Sequence, residues 1–355
     1  MGKVAAILEK ALAGTRLTLQ DGVTLLAEGN LHLLGKAANI ICRRKHPEGT
    51  VSFVVDRNIN YTNVCRCGCL FCAFYRRESD RDAYVLSIKE ILDKVQELVD
   101  VGGTQVLIQG GIHPGLGIDY FTEMFKAIKE RFDVQIHSLS PPEIVYLAQK
   151  SGLSVREILE TLRDAGLDSL PGGGAEILAD RVRRVISPAK ISWREWMNVM
   201  LTAHGLGMRT TATMMFGTIE TLEERVLHLL RIRDAQDETG GFTAFIPWSY
   251  QPANTKLGGT GATAVEYLRL IAVARLFLDN IPNIQASWVT QGAKVGQLAL
   301  AFGANDFGGT MLEENVVRAA GASYRVPLQE IVRIIKDAGY TPAQRTTLYD
   351  IIRTF

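Results

Sequence analysis

The chain has almost no excess charge: 39 Lys and Arg stand against 38 Asp and Glu, a formal net charge of +1. That excludes the one-signed field by which nucleic acid or an anionic membrane is gathered, so neither is expected as a partner. The chain also lacks any uninterrupted apolar run of the ~18 residues that a membrane span needs. The longest candidate, 264–278, carries Glu266, Arg269 and Arg275. Glu9 and Lys10 fall inside what would be the apolar core of a secretion signal, and Met1-Gly2 lacks the Ser or Thr at position 6 that myristoylation needs. A cytoplasmic protein is the expectation. No repeat at solenoid periods, low-complexity tract or long linker is present. The basic runs Arg43-Arg44-Lys45 and Arg76-Arg77 read as solvated faces. Cysteine is scarce, five in 355 residues, yet Cys65, Cys67, Cys69 and Cys72 crowd together and only Cys42 stands apart. Disulfides do not explain such crowding in a reducing compartment.

Apolar material is plentiful, 47% of the chain, enough for a large core. From about residue 51, short β-branched runs alternate with amphipathic helices, the rhythm of repeated βα units around a parallel sheet. It predicts eight strands, at 51–58, 104–109, 134–138, 167–170, 209–215, 242–248, 284–289 and 298–303. Helix starts are marked by capping boxes, in which a Ser or Thr hydroxyl and a Glu three residues on satisfy each other's free backbone N–H groups. The pairs are Ser87/Glu90, Ser154/Glu157, Ser192/Glu195, Thr221/Glu224 and Thr263/Glu266. Residues 1–50 read as helices outside the barrel, with a short break at Leu17-Thr18-Leu19. Residues 51–310 read as the barrel, and 311–355 as a C-terminal helical cap with one clear helix over 327–338. The expected class is therefore α/β, a (β/α)8 TIM-type barrel with an N-terminal helical extension and a C-terminal helical cap.

The cysteines follow the first predicted strand directly, in Asn60-Tyr-Thr-Asn-Val-Cys65-Arg-Cys67-Gly-Cys69-Leu-Phe-Cys72-Ala-Phe-Tyr75. A loop in that position lies on the catalytic face of a barrel. Structural zinc is one reading, although one short loop wraps a tetrahedron poorly. A dithiol redox pair at Cys69 and Cys72 is another, although such pairs usually open a thioredoxin-like helix. An iron–sulfur cluster fits better, because Cys65-x3-Cys69-x2-Cys72 offers three ligands to a four-iron cube and leaves one iron open.

That spacing, with aromatic Phe71 before the last cysteine, resembles the radical S-adenosylmethionine (SAM) superfamily. The resemblance implies a [4Fe-4S] cluster on Cys65, Cys69 and Cys72, SAM chelated at the open iron, and reductive cleavage to a 5′-deoxyadenosyl radical. Cys67 is an additional thiol in that pattern and reads as a bystander. Gln109-Gly110-Gly111 after the second strand matches the turn that contacts the SAM amino group in this superfamily. Ser138, after His137 at the end of the third strand, and Glu176, in Pro171-Gly-Gly-Gly-Ala-Glu176, are further candidates for holding SAM. Each has an ordinary alternative, a packing or capping residue for Ser138 and a helix-dipole charge for Glu176.

Asn60–Cys65, Phe71–Tyr75, the Gly172–Glu176 turn and Thr213–Thr221 together resemble the branch of futalosine-pathway and deazaflavin-cofactor enzymes. Phe245-Ile-Pro-Trp248-Ser-Tyr250-Gln251-Pro252 is most similar to the ring-closing enzymes of that branch. The sister aminodeoxyfutalosine synthases more often carry His where Gln251 stands. The resemblance implies dehypoxanthine futalosine as the small-molecule substrate, an external electron donor, and a C–C bond formed in menaquinone biosynthesis. A base must take a proton from the substrate ring, and Asp306, His113 and Tyr250 are the candidates. Arg209 and Lys294 are candidates for the substrate carboxylate. An aminodeoxyfutalosine synthase, a deazaflavin-cofactor synthase subunit and a non-enzymatic iron–sulfur scaffold or sensor are the alternatives.

Overall fold

A computed structural model describes residues 2–322 and 324–355. Its strands are β1 (Thr50–Val54), β2 (Asp56–Ile59), β3 (Gln105–Ile108), β4 (Gln135–Ser138), β5 (Ser169–Leu170), β6 (Arg209–Phe216), β7 (Phe242–Ser249), β8 (Asn283–Ile284), β9 (Asp306–Gly309), β10 (Thr341–Arg345) and β11 (Ile351–Thr354). One sheet runs β2-β3-β4-β5-β6-β7-β8 and the other β11-β10-β1-β9. They join at two places. β1 continues into β2 across a break at Val55, and β8 reaches β9 through the parallel bridge Gln285–Asp306 and the bond from Asn305 N–H to Ile284 carbonyl. Counting β1 and β2 as one, eight strands form a parallel ring, as the βα rhythm predicts.

All five predicted capping boxes form. Thr18/Asp21 and Ser140/Glu143 form two more. Thr18 also explains the break in the N-terminal region, where it separates helices Lys3–Leu12 and Leu19–Glu28; Leu31–Lys45 follows. These helices pack outside the barrel layer, against helices Leu222–Thr239 and Ala264–Phe277. No helix is long and apolar enough to cross a membrane among the described residues.

The eighth strand lies elsewhere than predicted. Residues 298–301 finish helix Ala293–Ala301 and 302–303 turn away from it, and the strand is Asp306–Gly309. A short apolar run cannot be told from helix by periodicity alone, and the two glycines of Asp-Phe-Gly-Gly read as loop. Gly309 is required there because a Cβ would meet the Asp56 carboxylate at 2.2–2.4 Å. The predicted seventh strand shortens to β8, with a helical turn at Trp288–Gln291.

The C-terminal region contains the expected helix, Leu328–Asp337, and also a β-hairpin that the sequence reading omits. β10 pairs in parallel with β1 below the point where β2 takes up β3. The chain then crosses the floor of the barrel. Thr347 N–H donates to Gln135 Oε1 at 2.6 Å, its hydroxyl donates to Gln105 Oε1 at 2.7 Å, and Arg345 Nε donates to Asp306 at 2.5 Å. Both members of the Arg345–Asp306 pair are buried. Removing one leaves the other charge stranded, so Arg345→Leu should lower the unfolding free energy by about 3–5 kcal/mol. A urea titration with the midpoint unchanged would contradict this.

Candidate active site

The loop that follows β2 is held from several sides. Tyr61 hydroxyl donates to Glu143 Oε1 at 2.7 Å, and Glu143 in turn receives the Ser140 N–H at 2.7 Å. The helix cap at Ser140 therefore doubles as an anchor for the loop. Cys65 N–H donates to the Arg76 carbonyl at 3.0 Å, Arg66 N–H to the Ile112 carbonyl at 3.1 Å, and Leu70 N–H to the Ile186 carbonyl at 2.9 Å. Arg76 closes the far side by donating to the carbonyls of Ala73, Phe74 and Tyr75 at 3.0–3.2 Å. Gly111 lies so close that a Cβ would stand 2.1 Å from the Val64 carbonyl oxygen, and a Cβ on Gly110 would meet the Tyr61 ring at 2.7 Å. The absent side chains of this pair thus make room for the cysteine loop itself.

Cys67 and Cys69 are buried and Cys65 and Cys72 half-buried, packed with Ile112, Phe71 and Tyr146. Burial pushes the Cys69 thiol up to about 12 and raises Cys72 as well. The neighbouring Cys65 and Cys67 thiols act on each other, which pulls Cys65 down and raises Cys67. The nearby cation is Lys190. Burial opposes its charge, but the Cys69 thiolate and Glu176 outweigh burial and raise its pKa. Its Nζ lies 2.9 Å from Glu176 Oε1 and 5.2 Å from the centre of the Phe71 ring.

The barrel lumen holds a cavity of about 250 Å³ that reaches from Gly173, Gly174 and Glu176 down to Arg345 and Tyr349. Glu176 enters it from a backbone with φ of 40°, with its side chain only 4% exposed. Its Oε2 is buried without a hydrogen bond and lies 3.6 Å from the Arg183 guanidinium. An orphaned buried carboxylate oxygen is costly, and a ligand N–H or O–H would satisfy it.

The Radical SAM superfamily pattern matches residues 59–232, and the CofH/MqnC C-terminal region pattern matches residues 239–354. A cyclic dehypoxanthine futalosine synthase from Halalkalibacterium halodurans is 52% identical over 354 residues, 99% of this chain and 96% of that protein. The chain belongs to the radical SAM superfamily. A second relative of the same name, from Streptomyces coelicolor, is 48% identical over 97% of this chain and 88% of its own length. The crystal structure of methylornithine synthase superimposes with a TM-score of 0.75 at 21% identity, covering 95% of this chain and 97% of that one, and shows a shared fold.

Membership of the radical SAM superfamily implies a [4Fe-4S] cluster and SAM, and the donor set fits them. The thiols of Cys65, Cys69 and Cys72 arise from one constrained loop, the half-buried Lys190 ammonium lies beside them, and Glu176, whose Oε2 has no hydrogen bond, lines the adjoining cavity. Among the described residues no three His, Cys, Asp or Glu side chains converge on a point for a single ion. Cluster cysteines need not do so, because each binds a different iron.

The other radical SAM candidates divide sharply. Gln109 and Glu176 line the cavity. Phe71 packs beside the thiols. Ser138 does not face the lumen: strand alternation turns His137 inward, and the Ser138 hydroxyl donates to the Ile108 carbonyl at 2.8 Å. Asp306 is not at the mouth but at the start of β9, where Arg345, the Ser52 hydroxyl and the Gly308 N–H occupy both oxygens. His113 lies outside the lumen, 3.8 Å from Glu78, with Nδ1 accepting the Gly115 N–H. Tyr250 hydroxyl bonds to Thr255 and the Gly258 carbonyl, shaping the loop after β7. Arg209 is exposed at the start of β6, and Lys294 is exposed on its helix, so neither reaches the cavity. Cys67 points its thiol to the Ala189 carbonyl at 3.8 Å.

Sequence reasoning missed Lys190, Asp56 and Arg345. Lys190 follows the helix end at Ser187-Pro188 and looks like one more surface lysine. Asp56 breaks an apolar strand pattern at Val55-Asp56, a buried-charge signal that was available.

Proposed function

We propose that this chain joins the ribose C4′ of dehypoxanthine futalosine to the substrate's benzoate ring, the cyclisation of the futalosine route to menaquinone. The observation that carries the reading is the 52% identity, across nearly the whole of both chains, to a cyclic dehypoxanthine futalosine synthase. Cys65, Cys69 and Cys72 would hold the cluster, with an external one-electron donor to reduce it. Bound there, cluster and SAM would supply a 5′-deoxyadenosyl radical for removal of the C4′ hydrogen. The chain's own contribution is placement and exclusion of water. Glu176 Oε2 would accept an N–H or O–H of SAM, Lys190 holds Glu176 in place and lies over the Phe71 ring, and Gln109 borders the same end of the lumen. The floor formed by Arg345, Thr347 and Tyr349 closes the other end, so the substrate is held between floor and radical source. Such placement replaces a bimolecular encounter with an intramolecular one.

The test is a substrate carrying deuterium at C4′. Anaerobic turnover should deliver the label into 5′-deoxyadenosine. Unlabelled 5′-deoxyadenosine formed from labelled substrate would overturn the proposed site of hydrogen removal.

A further inference from the structure

Ring closure leaves one proton and one electron to be removed from the substrate ring, and none of the three sequence candidates for the base reaches the lumen. The carboxylates and the imidazole on the lumen wall are Asp56, His137, Glu176 and Glu314. His137 Nδ1 is bonded to the Ser169 hydroxyl at 2.5 Å, and burial lowers its pKa to about 3, which makes it a poor base. Both oxygens of Glu314 receive backbone N–H groups of residues 316–318. Glu176 is already engaged by Lys190 Nζ at 2.9 Å, with the Arg183 guanidinium 3.6 Å away. Asp56 differs from all of these. It is buried at the junction of β1 and β2, its Oδ1 accepts the Met311 N–H at 2.9 Å, and among the described residues nothing donates to Oδ2. Space for this carboxylate exists only because position 309 is glycine.

We infer that Asp56 is the proton acceptor that restores aromaticity after ring closure. The C–H bond at the newly substituted ring carbon breaks, the proton passes to Asp56 Oδ2, and the bonding pair stays with the ring. The ring then gives one electron to a one-electron acceptor of the iron–sulfur class. This assignment rests on the cyclisation reading above. Burial raises the Asp56 pKa to about 6, so its carboxylate is both populated and basic near neutrality. The charged and titratable groups around it are Arg345 from β10, which lowers the value, and Asp306 from β9, which raises it. His137 from β4, Glu314 beyond β9 and Tyr349 beyond β10 share the cavity.

The experiment compares wild type, Asp56→Asn and Gly309→Ala by the ratio of cyclic product to 5′-deoxyadenosine, using C4′-deuterated substrate. Asp56→Asn keeps the Met311 bond and should still place the label in 5′-deoxyadenosine, while the ratio falls about 100-fold. Gly309→Ala, which displaces the carboxylate, should move the ratio the same way. In wild type the ratio should fall as pH drops through about 6 while 5′-deoxyadenosine formation persists, a readout that stands even if both variants fail to fold. A ratio in Asp56→Asn within about threefold of wild type would overturn the assignment. So would equal loss of product and 5′-deoxyadenosine, or a flat pH profile for wild type. If wild type itself forms no cyclic product, the cyclisation reading falls first and Asp56 with it.

Discussion

Cys69→Ala should lose cluster iron and sulfide on anaerobic reconstitution, with SAM cleavage falling to the level without enzyme. Cys67→Ala should keep both. The contrast is demanding because the two thiols are two residues apart in one loop and both are buried. Cys67 turns to the Ala189 carbonyl, so its removal costs a small apolar group, about 1 kcal/mol, and cleavage should stay within about threefold of wild type. Cys69 belongs to the spacing on which the cluster assignment stands, and a cube held by two thiolates exposes a second iron. Iron analysis and the electron paramagnetic resonance signal of the reduced protein check both variants. Equal loss in the two would make Cys67 a ligand and displace the Cys65-x3-Cys69-x2-Cys72 assignment.

Glu176→Gln should weaken SAM binding about tenfold to a hundredfold, the equivalent of one charge-assisted hydrogen bond of about 1.5–3 kcal/mol. The cluster should remain, since Glu176 touches Lys190 and Arg183 rather than a thiol in the proposed ligand set. Equilibrium binding of SAM to the reconstituted protein, alongside iron content, separates the two effects. Unchanged affinity would show that Oε2 finds its partner elsewhere, and loss of iron would make Glu176 part of the loop's support.

Most of the barrel was legible in the sequence because its signals are local. A capping box is satisfied within four residues, and a buried parallel strand shows as a short β-branched run. The misreadings arose where a distant partner decides the structure. Asp-Phe-Gly-Gly at 306–309 looks like a turn until Asp56 requires a glycine opposite it. Thr341–Arg345 looks like the tail of a helical cap until the lower edge of β1 takes it as a strand. The site divides along the same line. Four cysteines in one loop announce themselves, and Glu176 is marked by the glycines before it. Asp306 looked accessible because its predicted strand was placed too early, and Arg345, which consumes it, is 39 residues further along the chain. Lys190 carried no local signal at all.

Anaerobic mass spectrometry of reconstituted wild-type protein with SAM, a strong reductant and dehypoxanthine futalosine decides whether this chain closes the ring. The expected result is a product two hydrogens lighter than the substrate, formed together with 5′-deoxyadenosine. 5′-Deoxyadenosine formed while the substrate is recovered unchanged would contradict it, leaving a radical SAM enzyme that acts on something else.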